Sequence, residues 1–292
     1  MKQGIIILAL KKDAYYCAAF NLALSIKYYN KDINITLLSD GGHRKTFNVF
    51  NYSMFDWIKE IDKEDMQNAD GNFCPAKAKI NINKYSSYDN TLYIDADSIV
   101  LQDLKPLLDT LTNMEGNFYS NYFGTGGIND DILYNAWATN EKLWSFFNLK
   151  DDAQINTINT SWIYFNNKTK KLFKKINENY NKNFGLENLK NNWGGTMPDE
   201  LLYVGTLAQM CINPKNDLQV MFFGDLLDSR GLEYLQKTFF AFTLYGGGVG
   251  RTTVRDAYIT WYDRLMFKMM ESFGQEHRYK SHLILINKHI NK

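Results

Sequence analysis

The chain opens with a strand, a helix and a second strand, and this order restricts the folds open to it. The apolar run Gly4 to Leu10 reads as a buried strand. Tyr15 to Tyr29 carries apolar residues at close to helical spacing, and Asn34 to Leu38 reads as the next strand. Two parallel strands joined in this way require a crossover connection, which is right-handed in nearly all proteins. The opening therefore predicts an α/β fold with a parallel sheet.

Strands and helices keep alternating along the rest of the chain. Further predicted strands are Met54 to Ile61, Gly116 to Phe123, Asn159 to Asn166, Gln219 to Phe223 and Thr238 to Tyr245. Further predicted helices are Pro75 to Tyr85, Pro106 to Leu111, Tyr134 to Phe147, Lys168 to Tyr180, Asp199 to Met210 and Thr253 to Phe273. The glycine-containing stretch Tyr122 to Asp131 reads as a mobile loop. We predict one large domain, residues 1–250, and a C-terminal helical extension, residues 251–292.

Two acids follow the predicted strand Leu92 to Ile94. Asp95 and Asp97 flank Ala96, and residues two apart on an extended backbone point to the same side. At the carboxyl edge of an α/β sheet, that side is a crevice in which ligands bind. Two carboxylates there repel each other unless a cation lies between them or one holds a proton. The spacing therefore indicates a hard divalent metal carrying a phosphorylated ligand, although two solvated loop acids would show the same pattern.

Composition argues against several function classes. The chain has 33 Lys and Arg against 32 Asp and Glu, a net charge of +1, which gives no overall attraction to nucleic acid or to a membrane. Cys17, Cys74 and Cys211 form no C-x-x-C pair, and the four histidines lack metal-binding spacing. The first apolar run is too short to cross a bilayer. We expect a reduced, cytoplasmic protein without a transmembrane segment, a disulfide framework or a thiolate zinc site.

Several segments resemble glycosyltransferase family 8. The main part is Lys77-x-Lys79, then Tyr93-Ile94-Asp95-Ala96-Asp97-Ser98-Ile99-Val100, and then Asp103-Leu104 with Leu107-Leu108. Ala9 with Tyr15 or Tyr16, and Ser25, resemble the nucleotide-binding opening of the family. Asn159-Thr160-Ser161 and Pro198-Asp199-Glu200-Leu201-Leu202 resemble two later segments, so the resemblance covers roughly residues 4 to 250. It implies the GT-A fold, a Rossmann-like mixed sheet flanked by helices.

This resemblance also implies an activity, which is transfer of a hexose from a nucleotide sugar, usually UDP-linked, with retained configuration and with Mn²⁺ or Mg²⁺. Asp97 would be the main metal ligand, and Asp95 would bind the metal and the ribose. The implied nucleotide-contacting residues also include Ala9, Tyr15, Lys77 and Ala96, and the implied catalytic residues on the donor-sugar side are Asn159, Asp199 and Glu200. A solvated helix charge explains Lys77 equally well, and a helix N-terminal acid is the alternative for Asp199.

The end of the resembling region departs from the family pattern. The family has a H-x-x-G-x-x-K-P-W segment that supplies a third metal ligand, but Leu244 holds the histidine position here. Arg251 could take over the phosphate contact of the lysine, because guanidinium binds phosphate oxygens in a fork. A plain flexible turn is the alternative. It stays open whether two aspartates and water bind the metal or Tyr245 or another group contributes.

Other functions also stay open. A nucleotide-sugar binder that has lost its chemistry fits the missing histidine. A haloacid-dehalogenase-like phosphatase has a D-x-D motif too, and Gly224 to Asp228 resembles its later acidic motif, but its acid pair normally ends the first strand. The acceptor is undefined: a glycan, a protein, a small molecule or a modified DNA base. The basic tail from Glu271 permits peripheral contact with a membrane or with nucleic acid, although a terminal helix packed on the body is favoured.

Overall fold

A computed structural model of the 292-residue chain describes residues 2–46, 52–130, 137–182, 189, 198–223, 232–243 and 268–273. The chain divides into two compact units. Unit 1 consists of Met1–Lys2, Ile61–Thr91 and Met114–Asp217, and unit 2 of Gln3–Glu60, Leu92–Asn113 and Leu218–Lys292. No helix within the described ranges is both long and apolar enough to span a membrane. The predicted boundary at residue 250 lies outside these ranges and stays a prediction.

Nine strands form two sheets in the described part of the chain. The strands are β1 (Gln3–Ala9), β2 (Ile35–Ser39), β3 (Trp57–Glu60), β4 (Asn90–Asp95), β5 (Ser98–Val100), β6 (Phe118–Gly126), β7 (Ile155–Asn166), β8 (Met221–Phe223) and β9 (Ala241–Thr243). The main sheet has the order β3-β2-β1-β4-β7-β6, and the second has the order β5-β9-β8. Because β1, β2 and β3 pair in parallel whereas β6 and β7 pair antiparallel, the main sheet is mixed, as predicted.

Helices flank this sheet. The α-helices are α1 (Asp13–Tyr29), α2 (His43–Thr46), α3 (Pro75–Ile80), α4 (Ile82–Tyr85), α5 (Lys105–Asn113), α6 (Asn140–Phe147), α7 (Lys170–Tyr180), α8 (Asp199–Gln209) and α9 (Leu232–Thr238), and residues 268–272 are also helical. Short 3₁₀ helices occur at Tyr52–Met54, Lys63–Met66 and Asn167–Thr169. The predicted α/β class is confirmed.

The core of unit 2 forms around its opening strand. Ile5, Ile6 and Ile7 of β1 are fully buried, because a parallel strand inside such a sheet is covered on both faces. Helix α1 packs on β1 and β5. The predicted β-α-β opening is confirmed to within two residues at the start of the helix. Near the C-terminus, Met269 and Met270 are buried, and the centroid of the Phe273 ring lies 5.7 Å from the ammonium of Lys31, so this described piece packs on the unit.

The core of unit 1 forms around α8, which packs on β7, α6, α7 and α3. Leu201, Leu202 and Tyr203 on this helix are buried. The approach to α6 is so close that a Cβ at Gly205 would lie 2.1 Å from Cε2 of Phe147. The helix carries Asp199 and Glu200 in its first turn, where the helix dipole favours negative charge. Packing therefore holds the start of α8 firmly against β7.

Several local predictions were wrong. The helix predicted from Tyr134 is not helical at residues 137–139 and the described helix begins at Asn140, and the strand predicted from Met54 begins at Trp57. Pro75 to Tyr85 is not one helix, because Asn81 interrupts it and donates its side-chain amide to the carbonyl of Lys77 at 2.8 Å. Asparagine side chains compete with helical backbone hydrogen bonds in this way. The stretch Tyr122 to Asp131 is not wholly a loop either, since β6 continues through Gly126, which pairs with Ile155 of β7. Pairing with a neighbouring strand outweighs the local preference of glycine for turns.

Candidate active site

The acid pair lies at the end of β4, in unit 2. Strand β4 ends at Asp95, Ala96 and Asp97 form a turn, and β5 begins at Ser98 in the second sheet. The expectation that both acids lie on one extended strand was therefore wrong at Asp97. Asp95 and Asp97 are half-buried, whereas Ala96 is buried. The hydroxyl of the buried Tyr93 donates to Oδ1 of Asp95, and this fixes the first carboxylate.

The end of β9 lies beside this turn. Thr243, the last residue of β9, pairs with Ser98, which directly follows Asp97. Both residues are buried, and the hydroxyl of Ser98 has no hydrogen-bond partner in the described structure. The described part of β9 therefore ends next to the acid pair. Leu244, Tyr245 and Arg251 come soon after it in sequence but lie outside the described residues, so the predictions for them stand untested.

The predicted nucleotide-binding opening lies at the carboxyl end of β1, also in unit 2. Ala9 pairs with Ser39 at the end of β2. The ring of Tyr15 is 37% exposed, and the ammonium of Lys12 lies 5.9 Å from its centroid. Tyr16, in contrast, is buried, and burial and the carboxylate of Asp40 raise the pKa of its hydroxyl. Of the two tyrosines left open by the sequence, Tyr15 is therefore the one that solvent reaches more.

Asp40 organises the neighbouring loops, and sequence reasoning missed it. Its carboxylate accepts hydrogen bonds from the hydroxyl of Tyr16, from the backbone N–H of Lys11 at 3.0 Å and from that of Gly42 at 3.1 Å. A Cβ at Gly42 would lie 2.8 Å from the hydroxyl oxygen of Tyr16, so glycine is needed for this close approach. The sequence signal was present as Ser39-Asp40-Gly41-Gly42, which indicated only a tight turn.

A second polar cluster lies in unit 1, where β7 meets the start of α8. Nδ2 of Asn159 donates to Oε1 of Glu200 at 2.8 Å, and the backbone N–H of Thr160 donates to the same oxygen at 3.4 Å. Oγ1 of Thr160 donates to Oδ2 of Asp199 at 2.6 Å. The structure thus brings the three predicted catalytic residues Asn159, Asp199 and Glu200 together. Thr160 joins them although it was not singled out.

Lys79, and not Lys77, supplies the cation of this cluster. Nζ of Lys79 lies 3.2 Å from Oδ2 of Asp199, with both side chains largely buried. Nζ of Lys77 donates instead to the backbone carbonyl of Gln67 at 2.8 Å. Both lysines belong to the Lys77-x-Lys79 motif that resembles glycosyltransferase family 8, and the sequence alone could not decide which of them contacts Asp199.

Comparison with known proteins places these clusters in a known fold. No family model and no curated protein matches the chain. The galactosyltransferase LgtC in complex with donor and acceptor sugar analogs is 15% identical, with a TM-score of 0.56, over 92% of this chain and 95% of LgtC. The bifunctional glycosyltransferase WbbM is 13% identical, with a TM-score of 0.59, over 94% of this chain and 52% of WbbM. The chain has a GT-A glycosyltransferase fold.

GlyE from Streptococcus pneumoniae shares the GT-A fold, at 14% identity and a TM-score of 0.53, over 93% of this chain and 64% of GlyE. Identities this low establish the architecture and not the family. The fold predicted from the resemblance is therefore confirmed, whereas membership of glycosyltransferase family 8 stays a prediction.

The acid pair of this GT-A fold fits a hard divalent metal by its donor chemistry. Asp95 and Asp97 offer carboxylate oxygens, the ligands that Mg²⁺ and Mn²⁺ prefer. In the described ranges, no group of three or more His, Cys, Asp and Glu side chains is placed to hold a metal ion. Mg²⁺ is commonly bound by one or two carboxylates together with substrate phosphates and water. Two aspartates therefore suit a metal whose remaining ligands come from a phosphorylated substrate.

Proposed function

We propose that this protein is a glycosyltransferase that moves a hexose from a UDP-sugar to an acceptor, with retention and with Mn²⁺ or Mg²⁺ held by Asp95 and Asp97. The observation that carries the proposal is the acid pair at the end of β4 in a chain with the GT-A fold. LgtC, whose solved structure contains donor and acceptor sugar analogs, supports it by analogy of fold.

The difficult step in such a transfer is departure of the nucleoside diphosphate while the sugar carbon becomes cationic. The metal, when bound, supplies positive charge that stabilises the leaving diphosphate. Tyr93 keeps the carboxylate of Asp95 oriented for this role. We propose that Ala9 and Tyr15 contact the nucleotide, with Tyr15 offering its exposed ring. Arg251 is proposed as a phosphate contact on sequence alone.

The polar cluster of unit 1 is proposed to bind the donor sugar. Asp199 is held by Lys79 and Thr160, and Glu200 is held by Asn159. Carboxylates fixed in this way can accept hydrogen bonds from sugar hydroxyls and stabilise positive charge on the reacting carbon. We assign the basic role at this cluster to Lys79, because its ammonium contacts Asp199. Lys77 remains a proposed phosphate contact from the resemblance.

The test is metal-dependent release of UDP. Purified protein is incubated with UDP-glucose, UDP-galactose or UDP-N-acetylglucosamine, with Mn²⁺, with Mg²⁺ or with EDTA, and UDP is measured. We expect release from one donor by slow hydrolysis, abolished by EDTA. Thermal unfolding with the same donors should show stabilisation only when metal is present, since a ligand that binds the folded state raises its stability.

Two alternatives give different results in the same assays. A nucleotide-sugar binder without catalysis would be stabilised by donor and metal but would release no UDP. A haloacid-dehalogenase-like phosphatase would cleave p-nitrophenyl phosphate, although its acid pair normally ends the first strand and the pair here follows β4. A cytoplasmic location and contacts of the C-terminal tail remain predictions from the sequence.

A further inference from the structure

A β-bulge on β6 exposes an aromatic ring in unit 1. Tyr122 pairs with Ile158 and Gly124 pairs with Thr157, so the register shifts at Phe123, which is the extra residue of the bulge. Its side chain is 48% exposed, although β6 is otherwise largely buried in its first half. Bulges re-aim side chains and are frequent beside functional sites. The bulge thus places a half-exposed phenyl ring on the outer strand of the sheet.

Neutral hydrogen-bonding groups lie on nearby residues of β6 and β7. Oγ1 of Thr125 donates to Oδ1 of Asn156 at 2.8 Å, so its own lone pair accepts from the hydroxyl of Tyr122, also at 2.8 Å. These two successive hydrogen bonds, from Tyr122 to Thr125 and from Thr125 to Asn156, hold the Tyr122 ring in place. The side-chain amide of the half-buried Asn156 also has N–H groups that can donate. The ammonium of Lys215 lies 5.3 Å from the centroid of the Tyr122 ring. The surface therefore combines aromatic rings with hydroxyl and amide groups.

The register of β6 connects this surface to the polar cluster. Asn121 on β6 pairs with Asn159 on β7, and Asn159 donates to Glu200. Phe123 is two residues beyond Asn121, a distance of about 7 Å along a strand. That distance is comparable to the width of one sugar ring. A sugar on Phe123 would therefore lie about one ring away from the residues that we propose to bind the donor sugar.

We propose that Phe123, with Tyr122, Thr125 and Asn156, is a binding platform for a carbohydrate acceptor. This inference rests on the proposed function, since it assigns the acceptor class to that activity. A pyranose has an apolar C–H face, which packs on an aromatic ring, and a rim of hydroxyls, which bond to hydroxyl and amide groups. A DNA acceptor would be held mainly by several lysines and arginines on its phosphates, whereas the hydrogen-bonded groups of the platform are neutral and its described cation, Lys215, lies over the Tyr122 ring.

Direct binding of sugars tests the platform without any donor. Saturation-transfer difference NMR is run with methyl glycosides and disaccharides of glucose, galactose, mannose and N-acetylglucosamine. We expect at least one to bind the unaltered protein, with affinity about tenfold lower or worse in Phe123→Ala because stacking is lost. Phe123→Trp should retain binding, since it keeps a planar ring. Tyr234→Ala, which removes an exposed ring on α9, is the matched control and should bind normally.

Two results would overturn the platform: no sugar in the panel binding to the unaltered protein, or equal binding by Phe123→Ala and the unaltered protein. Donor hydrolysis separates this inference from the proposed function. Tyr234→Ala should release UDP from the donor without acceptor at the unaltered rate, because it changes neither a proposed donor-binding residue nor the platform. If the unaltered protein releases no UDP, the proposed transfer fails, whereas sugar binding that depends on Phe123 still shows that the surface recognises carbohydrate.

Discussion

The ammonium of Lys79 lies 3.2 Å from Oδ2 of Asp199, and the hydroxyl of Thr160 donates to the same oxygen at 2.6 Å. One carboxylate oxygen at the start of α8 is thus held by a cation from α3 and a hydroxyl from β7. Both ion-pair side chains are largely buried, so water screens the pair less than it would on the surface. This contact shows that Lys79 is the lysine that pairs with Asp199.

Replacing Lys79 should impair donor hydrolysis more than replacing Lys77. We expect Lys79→Met to lower the rate of UDP release by about tenfold or more, because Asp199 loses a charge-assisted contact in a partly dry environment. Lys77→Met removes a hydrogen bond to the Gln67 carbonyl and a contact with the Tyr180 ring, neither of which involves Asp199. The measurement is the steady-state rate of UDP release by each variant and by the unaltered protein. A larger loss with Lys77→Met would instead show that the phosphate contact proposed for Lys77 matters more to donor hydrolysis than the ion pair of Lys79.

The variant Glu200→Gln distinguishes the effect of the negative charge of Glu200 from the effect of its hydrogen bonds. Glutamine keeps a side-chain oxygen that can accept from Asn159 and Thr160, so we expect nearly unchanged unfolding in urea. The turnover rate should fall by about a hundredfold if a negative charge stabilises the reacting carbon. Glu200→Ala should in addition lower the free energy of unfolding by about 1 kcal/mol, since the Asn159 amide loses its partner. Full turnover in Glu200→Gln would show that the charge has no catalytic role.

Asp97→Ala should abolish metal-dependent nucleotide binding. The physical reason is that one remaining carboxylate binds a hard divalent ion much more weakly than two. The measurement is the melting temperature with UDP, compared in Mn²⁺ and in EDTA. Asp70→Ala, which removes an exposed loop acid, should behave as the unaltered protein. An unchanged Mn²⁺-dependent shift in Asp97→Ala would exclude Asp97 as a ligand.

Gly205→Ala should destabilise the protein despite alanine being the better helix former. The new Cβ would lie 2.1 Å from Cε2 of Phe147, and relieving such overlap typically costs about 1–3 kcal/mol. Alanine recovers at most about 1 kcal/mol in helix propensity. Urea unfolding measures the difference, and Phe147→Leu in the same chain should restore part of it through relief of the overlap. A more stable Gly205→Ala variant would mean that α6 and α8 are not packed this closely.

His43 should make the protein less stable in mild acid. Burial, followed by the charge of Arg44, lowers the pKa of this imidazole below its ordinary value of 6.5, and its Nδ1 lies 2.7 Å from Oγ of Ser39. The unfolded state therefore binds more protons as the pH falls below about 6.5, so stability present above that pH is lost. Each pH unit costs at most about 1.4 kcal/mol per proton. The free energy of unfolding at pH 7.5, 6.5 and 5.5 should depend less on pH in His43→Gln, and parallel profiles would contradict this.

The elements that were predicted well are those with a strong local pattern. The strand Gly4 to Leu10 and the helix from Tyr15 were predicted because their apolar residues follow the strand and helix periods for many residues. Asn159 to Asn166 and Asp199 to Met210 were also placed on the elements that carry them. The sequence also placed Asp95 at the end of a strand and Asp199 at the start of a helix, whereas the functional roles of these residues stay predictions.

Two of the parts predicted wrongly depend on partners distant in sequence. Gly124 and Gly126 form a strand because β7 pairs with them, which their own preference for turns does not indicate. Ala96 and Asp97 form a turn because β5 leaves for the second sheet, where it pairs with β9. In both places, hydrogen bonds across sequence separations of tens to more than a hundred residues outweigh local preference.

By itself, the sequence determined the α/β class, the acid pair after an apolar strand and the two acids opening α8, because periodicity and short-range spacing record these features. Only the tertiary structure decided that Lys79 reaches Asp199, that Asp40 ties Tyr16 to the first loop and that a bulge exposes Phe123. Such contacts depend on how strands pair and how helices pack. A single sequence does not show these contacts, because the identity of one residue does not indicate which distant residue it contacts.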